Sequence, residues 1–211
     1  MRVRQTVLDG RRTPLDAFAV AVAITLSLMF VTLLLAAGML ALEREEHAFG
    51  RLVRGLVRPT ALLVEKAVLG ALCAFIVGAG LLGMLALFEP VALERAPQWL
   101  GALALGATGF AALGVSVGAL TRDVRAASLL SFLLSVPIAA LALVPSGTVG
   151  DRAGDVIRVV SALFPFKPTL SALDAGLNAT GALALPLAHL VLLAVAYVAL
   201  ARLALRRFGV R

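Results

Sequence analysis

Charge is scarce in this sequence. Asp, Glu, Lys and Arg make up 15% of its 211 residues, too little to coat the surface of a soluble domain of that size. Cysteine occurs once, as Cys73 inside an apolar run, so neither a disulfide framework nor a cysteine metal site can be built; the residue reads as a small buried apolar side chain. His47 and His189 are the only histidines, and no His/Glu cluster of the metalloprotease kind accompanies them. No serine is framed by a motif for an intramembrane protease, so no catalytic or metal-binding residue is assigned. Alternating strand patterns are missing, which argues against a membrane barrel. A phosphate loop is missing too: Lys66 is followed by Ala67 and Lys167 by Pro168, so this chain does not bind ATP in the P-loop manner. The net charge of +7 has no aromatic-basic surface beside it, and no nucleic-acid partner is expected.

What the sequence has in abundance is apolar length. Hydrophobic residues make up 61% of it, and the mean hydropathy is +1.02. A run of about 20 apolar residues crosses a bilayer as a helix. Five such spans are expected, at about 17–42, 62–88, 100–120, 127–145 and 183–205. The fold class is therefore all-α, a polytopic helical membrane protein with the lipid bilayer as its first partner. The connection 89–99 holds Pro90, Pro97 and an interfacial Trp99. The connection 121–125 is a tight charged turn. In the long connection 146–182, residues 156–164 are apolar but too short to span, which predicts a re-entrant or surface helix. The stretch 164–168 breaks it, and 169–177 is expected to form a second short helix.

The first two spans are separated by a charged link. Glu43-Arg44-Glu45-Glu46 opens it, Arg51, Arg54 and Arg58 follow, and Glu65-Lys66 closes it. Phe49, Leu52, Val53 and Leu56 fall on one helical stripe and the arginines on another. That pattern suits a helix lying on the membrane surface, and equally a helix that presents one face to a partner. Lysines and arginines in the loops and the carboxy-terminal tail divide eleven to four, which places this link, the 121–125 turn and the carboxy terminus in the cytoplasm. Arg2, Arg4, Arg11 and Arg12, ahead of the first span, run against that orientation.

The segment LEREEHAFGRLVRGLVRPTALLVEK resembles the stretch that follows the second transmembrane helix in ABC-2 type transporter permeases, the membrane subunits of ATP-driven exporters. Glu43, Arg44 and Glu45 match the E-R-E opening of that stretch, Leu52-Val53 stand at its leucine pair, and Lys66 falls at its closing lysine. His47-Ala48 depart from its Gly-Thr, Gly50 from its later Glu, and Pro59 lies three residues beyond its proline. The resemblance implies a coupling helix docked on a separate ABC ATPase, with Glu43, Arg44, Glu45, Phe49, Arg51, Leu52, Arg54, Leu56 and Lys66 as its coupling residues. It implies a second permease unit, as a homo- or heterodimer. ATP and Mg would be used by the partner ATPase, and no cofactor would be bound by this chain. It further implies an additional amino-terminal span and external domain, which would make residues 1–211 the carboxy-terminal five-span portion of a six-span permease; a natural short permease, or a portion supplied by another chain, stays open. An outer hairpin of short helices is also implied between the last two spans. Arginine in place of lysine, with heavy Ala, Leu and Gly usage, points to a bacterial cell membrane.

Gly70, Ala74 and Gly78 recur at every fourth position of the second span, and Gly114 and Gly118 do so in the third. Small residues at that spacing let helices approach closely, within one subunit or across a dimer. Ser128, Ser131 and Ser135 share a face of the fourth span that could line an interface or a polar path, and Pro137 is placed to kink it. His189, within the fifth span, reads as a neutral histidine hydrogen-bonded near the span end. A reading from another class, a non-transporting membrane scaffold or assembly subunit, is compatible with the same spans.

Overall fold

A computed structural model describes residues 14–46, 58–88, 93–143, 151–178 and 182–208. Seven α-helices and one 3₁₀ turn account for nearly all of these residues: α1 (Pro14–Glu45), α2 (Pro59–Phe88), the turn Leu93–Arg95, α3 (Ala96–Leu120), α4 (Val124–Leu143), α5 (Asp151–Ala162), α6 (Phe166–Asn178) and α7 (Ala184–Phe208). Five of them, α1, α2, α3, α4 and α7, are long and apolar enough to cross a membrane.

The helix boundaries follow from capping chemistry. Pro59 begins α2 and Pro97 lies in the first turn of α3, where a missing N–H costs nothing. Both helices therefore start three or four residues before their expected spans. Asp123 caps α4 by accepting the N–H of Ala126 at 2.7 Å, which moves the start of that helix to Val124. Pro137 sits inside α4, and the helix continues through it to Leu143. At its far end α1 runs past Leu42 to Glu45, so Glu43, Arg44 and Glu45 are helical.

Helix α3 is the centre of the bundle. Of its most apolar stretch 72% is buried, against 22% for α2, 28% for α4 and 17% for α7. It packs on α1, α2, α6 and α7, while α4 leans on α1. Phe30 of α1 meets Phe132 of α4 with ring centroids 6.2 Å apart. The outer faces of α2, α4 and α7 carry exposed apolar residues such as Leu72, Ile76, Leu133 and Leu192, as a lipid-facing surface requires. Several polar residues within the spans bond back into their own helices: Thr25 to the carbonyl of Ala21 at 2.7 Å, Thr108 to Ala104 at 2.8 Å, Ser135 to Ser131 at 2.7 Å.

Small residues hold α3 to its neighbours. A Cβ on Gly118 would lie 2.7 Å from the carbonyl oxygen of Ala37, and one on Gly114 would lie 3.0 Å from the Cβ of Ala36 and 3.1 Å from the carbonyl of Leu33. Gly70 approaches the same Ala36 methyl from α2 at 3.1 Å, and a Cβ on Gly78 would lie 2.8 Å from Leu103. Ala74 is buried in the shared core. The four glycines thus face helices of their own chain.

Residues 154–162 and 166–178 form a helical pair bent by 83°. Helix α5 is amphipathic, with Val156 and Val159 exposed and Asp155 paired to Arg158 at 3.3 Å on its exposed surface. Helix α6 turns inward and buries Phe166, Thr169, Leu170 and Leu173 against α1 and α3. Gly106 of α3 receives the Thr169 side chain, where a Cβ would collide with its methyl group, and Gly109 sits against Pro165. Gly176 lies on the backbone of Trp99. Trp99 is consequently buried within the chain, because α6 folds over it. At the bend, the hydroxyl of Tyr197 on α7 donates to the Leu163 carbonyl at 2.6 Å. It satisfies one of the acceptors that the end of α5 leaves open. Ser116 of α3 donates to the Tyr197 carbonyl at 2.7 Å.

Candidate functional site

The end of the bundle opposite α5 and α6 gathers three consecutive charged residues from the last turn of α1. Successive residues on a helix point about 100° apart, so Glu43, Arg44 and Glu45 address three different neighbours. Each one finds a different helix.

Glu43 reaches α2. Its Oε1 lies 2.6 Å from the Nζ of Lys66, with the side chains 19% and 13% exposed. Lys66 also bonds the neighbouring Glu65 at 3.2 Å. The second oxygen of Glu43 is buried without a hydrogen-bond partner among the described residues. The pair thus lies closer to a buried ion pair than to a surface one, and removing one member strands the other.

Arg44 reaches the end of α3. Its Nη1 donates to the carbonyls of Ala119 and, at 2.6 Å, Thr121, with the Gly118 carbonyl at 3.4 Å. The last carbonyls of a helix lack intrahelical donors and carry partial negative charge. A guanidinium bonded to them complements both. Thr121 adds its own hydroxyl to the carbonyl of Val117 at 3.1 Å.

Glu45 reaches the start of α4. Its Oε2 accepts the backbone N–H of Val124 at 3.1 Å. The positive end of α4 therefore receives two carboxylates, Asp123 from its own cap and Glu45 from α1. The tight turn between α3 and α4 is gripped on both sides by adjacent residues of one helix.

Glu43, Arg44, Glu45 and Lys66 are thus engaged inside the chain, on α2, α3 and α4. Phe49, Arg51, Leu52, Arg54 and Leu56 lie outside the described residues. Sequence reasoning placed Glu43 and Lys66 in one motif but did not pair them, and it left the Arg44 and Glu45 contacts unseen, since their partners are backbone groups some 75 residues away. It also passed over Gly106, Gly109 and Gly176, whose spacing has no fourfold repeat, and the Tyr197–Leu163 bond, whose acceptor is again backbone. Elsewhere, Ser131 and Ser135 are buried and Ser128 half-buried on α4, His189 is half-buried in the second turn of α7, and Cys73 is half-buried rather than buried.

An all-helical polytopic membrane protein, with a small-residue central helix and a charged junction at one end, is the class these features define. A family model, that of the ABC-2 family transporter proteins, matches residues 3–203, and the chain belongs to this family. It is a membrane permease component of an ABC transporter, and the family's members are not its catalytic subunits. A comparison with curated proteins found no match.

Proposed function

We propose that this chain couples ATP hydrolysis by a separate ABC ATPase to export of a substrate across a bacterial cell membrane, working as one of two permease units in a homo- or heterodimer. ATP and Mg belong to the ATPase. The observation that carries the proposal is the junction at the end of α1. Three adjacent side chains tie that one helix end to α2, α3 and α4, so a displacement delivered there reaches all four helices together. The link 47–57, which leaves directly from the junction, is the docking element in this reading, with Phe49, Leu52 and Leu56 as apolar anchors and Arg51 and Arg54 as polar contacts. Glu43, Arg44, Glu45 and Lys66 pass the motion inward. The cytoplasmic orientation of this end rests on the Lys and Arg distribution.

Docking and transmission separate experimentally. Co-expressed with the ATPase encoded alongside it, Phe49→Ala and Leu52→Ala should weaken co-purification, since truncating an anchor costs about 2 kcal/mol or more in an interface dominated by few residues. Arg44→Gln should leave co-purification intact and lower the amount of substrate moved per ATP. Wild-type complex formation and transport in all three variants would defeat the coupling role, and failure of the wild-type chain to bind the ATPase at all would favour a scaffold.

A further inference from the structure

An open groove of about 470 Å³ runs between the first turn of α2 and the last turns of α7. Its mouth carries Arg202 and Arg206, one turn apart and both exposed; its wall carries Val195, Ala199 and Leu203 from α7, with Thr60 facing them from α2. Val195, Ala199, Arg202 and Arg206 follow the i, i+4, i+7, i+11 spacing of a single helical stripe. Val195 lies about 10 Å deeper along the helix than Arg202 at 1.5 Å per residue. The groove is therefore graded: cationic where it opens, apolar where it enters the bilayer. Neither arginine has an acidic partner among the described residues. Two exposed guanidiniums so placed at one membrane surface attract an anionic group. Arg58, exposed immediately before α2, adds a third positive charge at the same end of the bundle.

We propose that this groove binds an anionic phospholipid from the leaflet at that end of the bundle. The phosphate sits between Arg202 and Arg206, which offer the planar donor forks that match phosphate oxygens. The Thr60 hydroxyl is available to the headgroup, and one acyl chain lies along Val195 and Ala199. A soluble anion would use the arginines and leave the apolar wall uncovered. A zwitterionic lipid carries the same phosphate but brings its own quaternary cation beside the arginines, which offsets the attraction. An anionic lipid satisfies both halves without that repulsion. The site is separate from the α1 junction and stands whether or not the coupling proposal does.

The test is a native mass spectrometry titration of the purified full chain in detergent, with phosphatidylglycerol or phosphatidylcholine of identical acyl chains. The first phosphatidylglycerol should bind more tightly than the first phosphatidylcholine. At about fivefold per arginine near a membrane surface, Arg202→Gln with Arg206→Gln should weaken the first phosphatidylglycerol about thirtyfold and phosphatidylcholine far less. Ala199→Trp fills the wall while keeping both arginines, and should also weaken it; Ala199→Leu serves if the larger variant melts early. Arg158→Gln on α5, outside the groove, should have no effect. Unchanged phosphatidylglycerol binding in the double variant overturns the proposal. So does a loss in the double variant with full binding in both Ala199 variants, which would mean diffuse surface charge. Displacement of the lipid by excess inorganic phosphate would reassign the arginines to a free anion and equally overturn it.

Discussion

Substituting Gly118 by alanine puts one methyl group where the structure has no room. The new Cβ would stand 2.7 Å from the carbonyl oxygen of Ala37 and 3.1 Å from both the Cα of Ala37 and the Cβ of Leu40. A carbon meets a carbonyl oxygen comfortably at about 3.3 Å or beyond. Helix α1 must therefore retreat by roughly 0.6 Å, because the obstructing atoms are backbone and have no rotamer to escape into. A gap of that size forfeits a quarter to a half of the dispersion energy of each contact it opens, and the α1–α3 seam is one of the two most extensive in the bundle. Overpacking of this kind costs about 1–3 kcal/mol, and the improved helix propensity of alanine returns about 0.5–1 kcal/mol. The net expectation is a loss of about 1–2 kcal/mol. Gly38 supplies the control, since it lies beside Ala37 on the same helix with nothing within 4 Å of its would-be Cβ. Gly38→Ala should stabilise by about 0.5–1 kcal/mol on propensity alone. At roughly 2–4 °C per kcal/mol for a chain of this size, thermal melts followed by fluorescence-detected gel filtration should separate the two variants by about 3–12 °C. Equal melting temperatures, or Gly118→Ala as the more stable variant, would refute the close α1–α3 approach.

Two further outcomes follow from the polar contacts. Lys66→Ala, which strands the largely buried Glu43 without its partner, should cost about 2 kcal/mol, between the 3–5 of a fully buried pair and the 0–1 of an exposed one; Glu43→Met with Lys66→Met should recover most of that loss, and a double-mutant cycle in thermal or denaturant melts would show no recovery if the two residues do not interact. Tyr197→Phe should cost only about 0.6 kcal/mol, as transmembrane hydrogen bonds average, yet hydrogen exchange at 160–166 should accelerate; unchanged exchange there would mean that Tyr197 does not hold the bend.

Much of this protein is written in local sequence. Uncharged runs of span length determine five transmembrane helices, because the bilayer imposes a minimum length and leaves the backbone few alternatives to a helix. The E-R-E opening and its distance to Lys66 carry the family signal. Helix ends were less legible: Pro59 and Pro97 resemble loop residues in isolation but lie in the first turns of helices, and the identity of a cap depends on which neighbour completes it. Only the tertiary structure decided that α3 is central, that Gly114 and Gly118 face the backbone of α1, and that α6 buries Trp99. Only it assigned Glu43, Arg44 and Glu45 to three separate helices. The physical reason is the same in each case. Apolar length is a property of consecutive residues and the membrane reads it directly. A hydrogen bond to a helix end, or a close approach at a glycine, depends on backbone atoms far away in sequence, and every residue carries the same backbone groups.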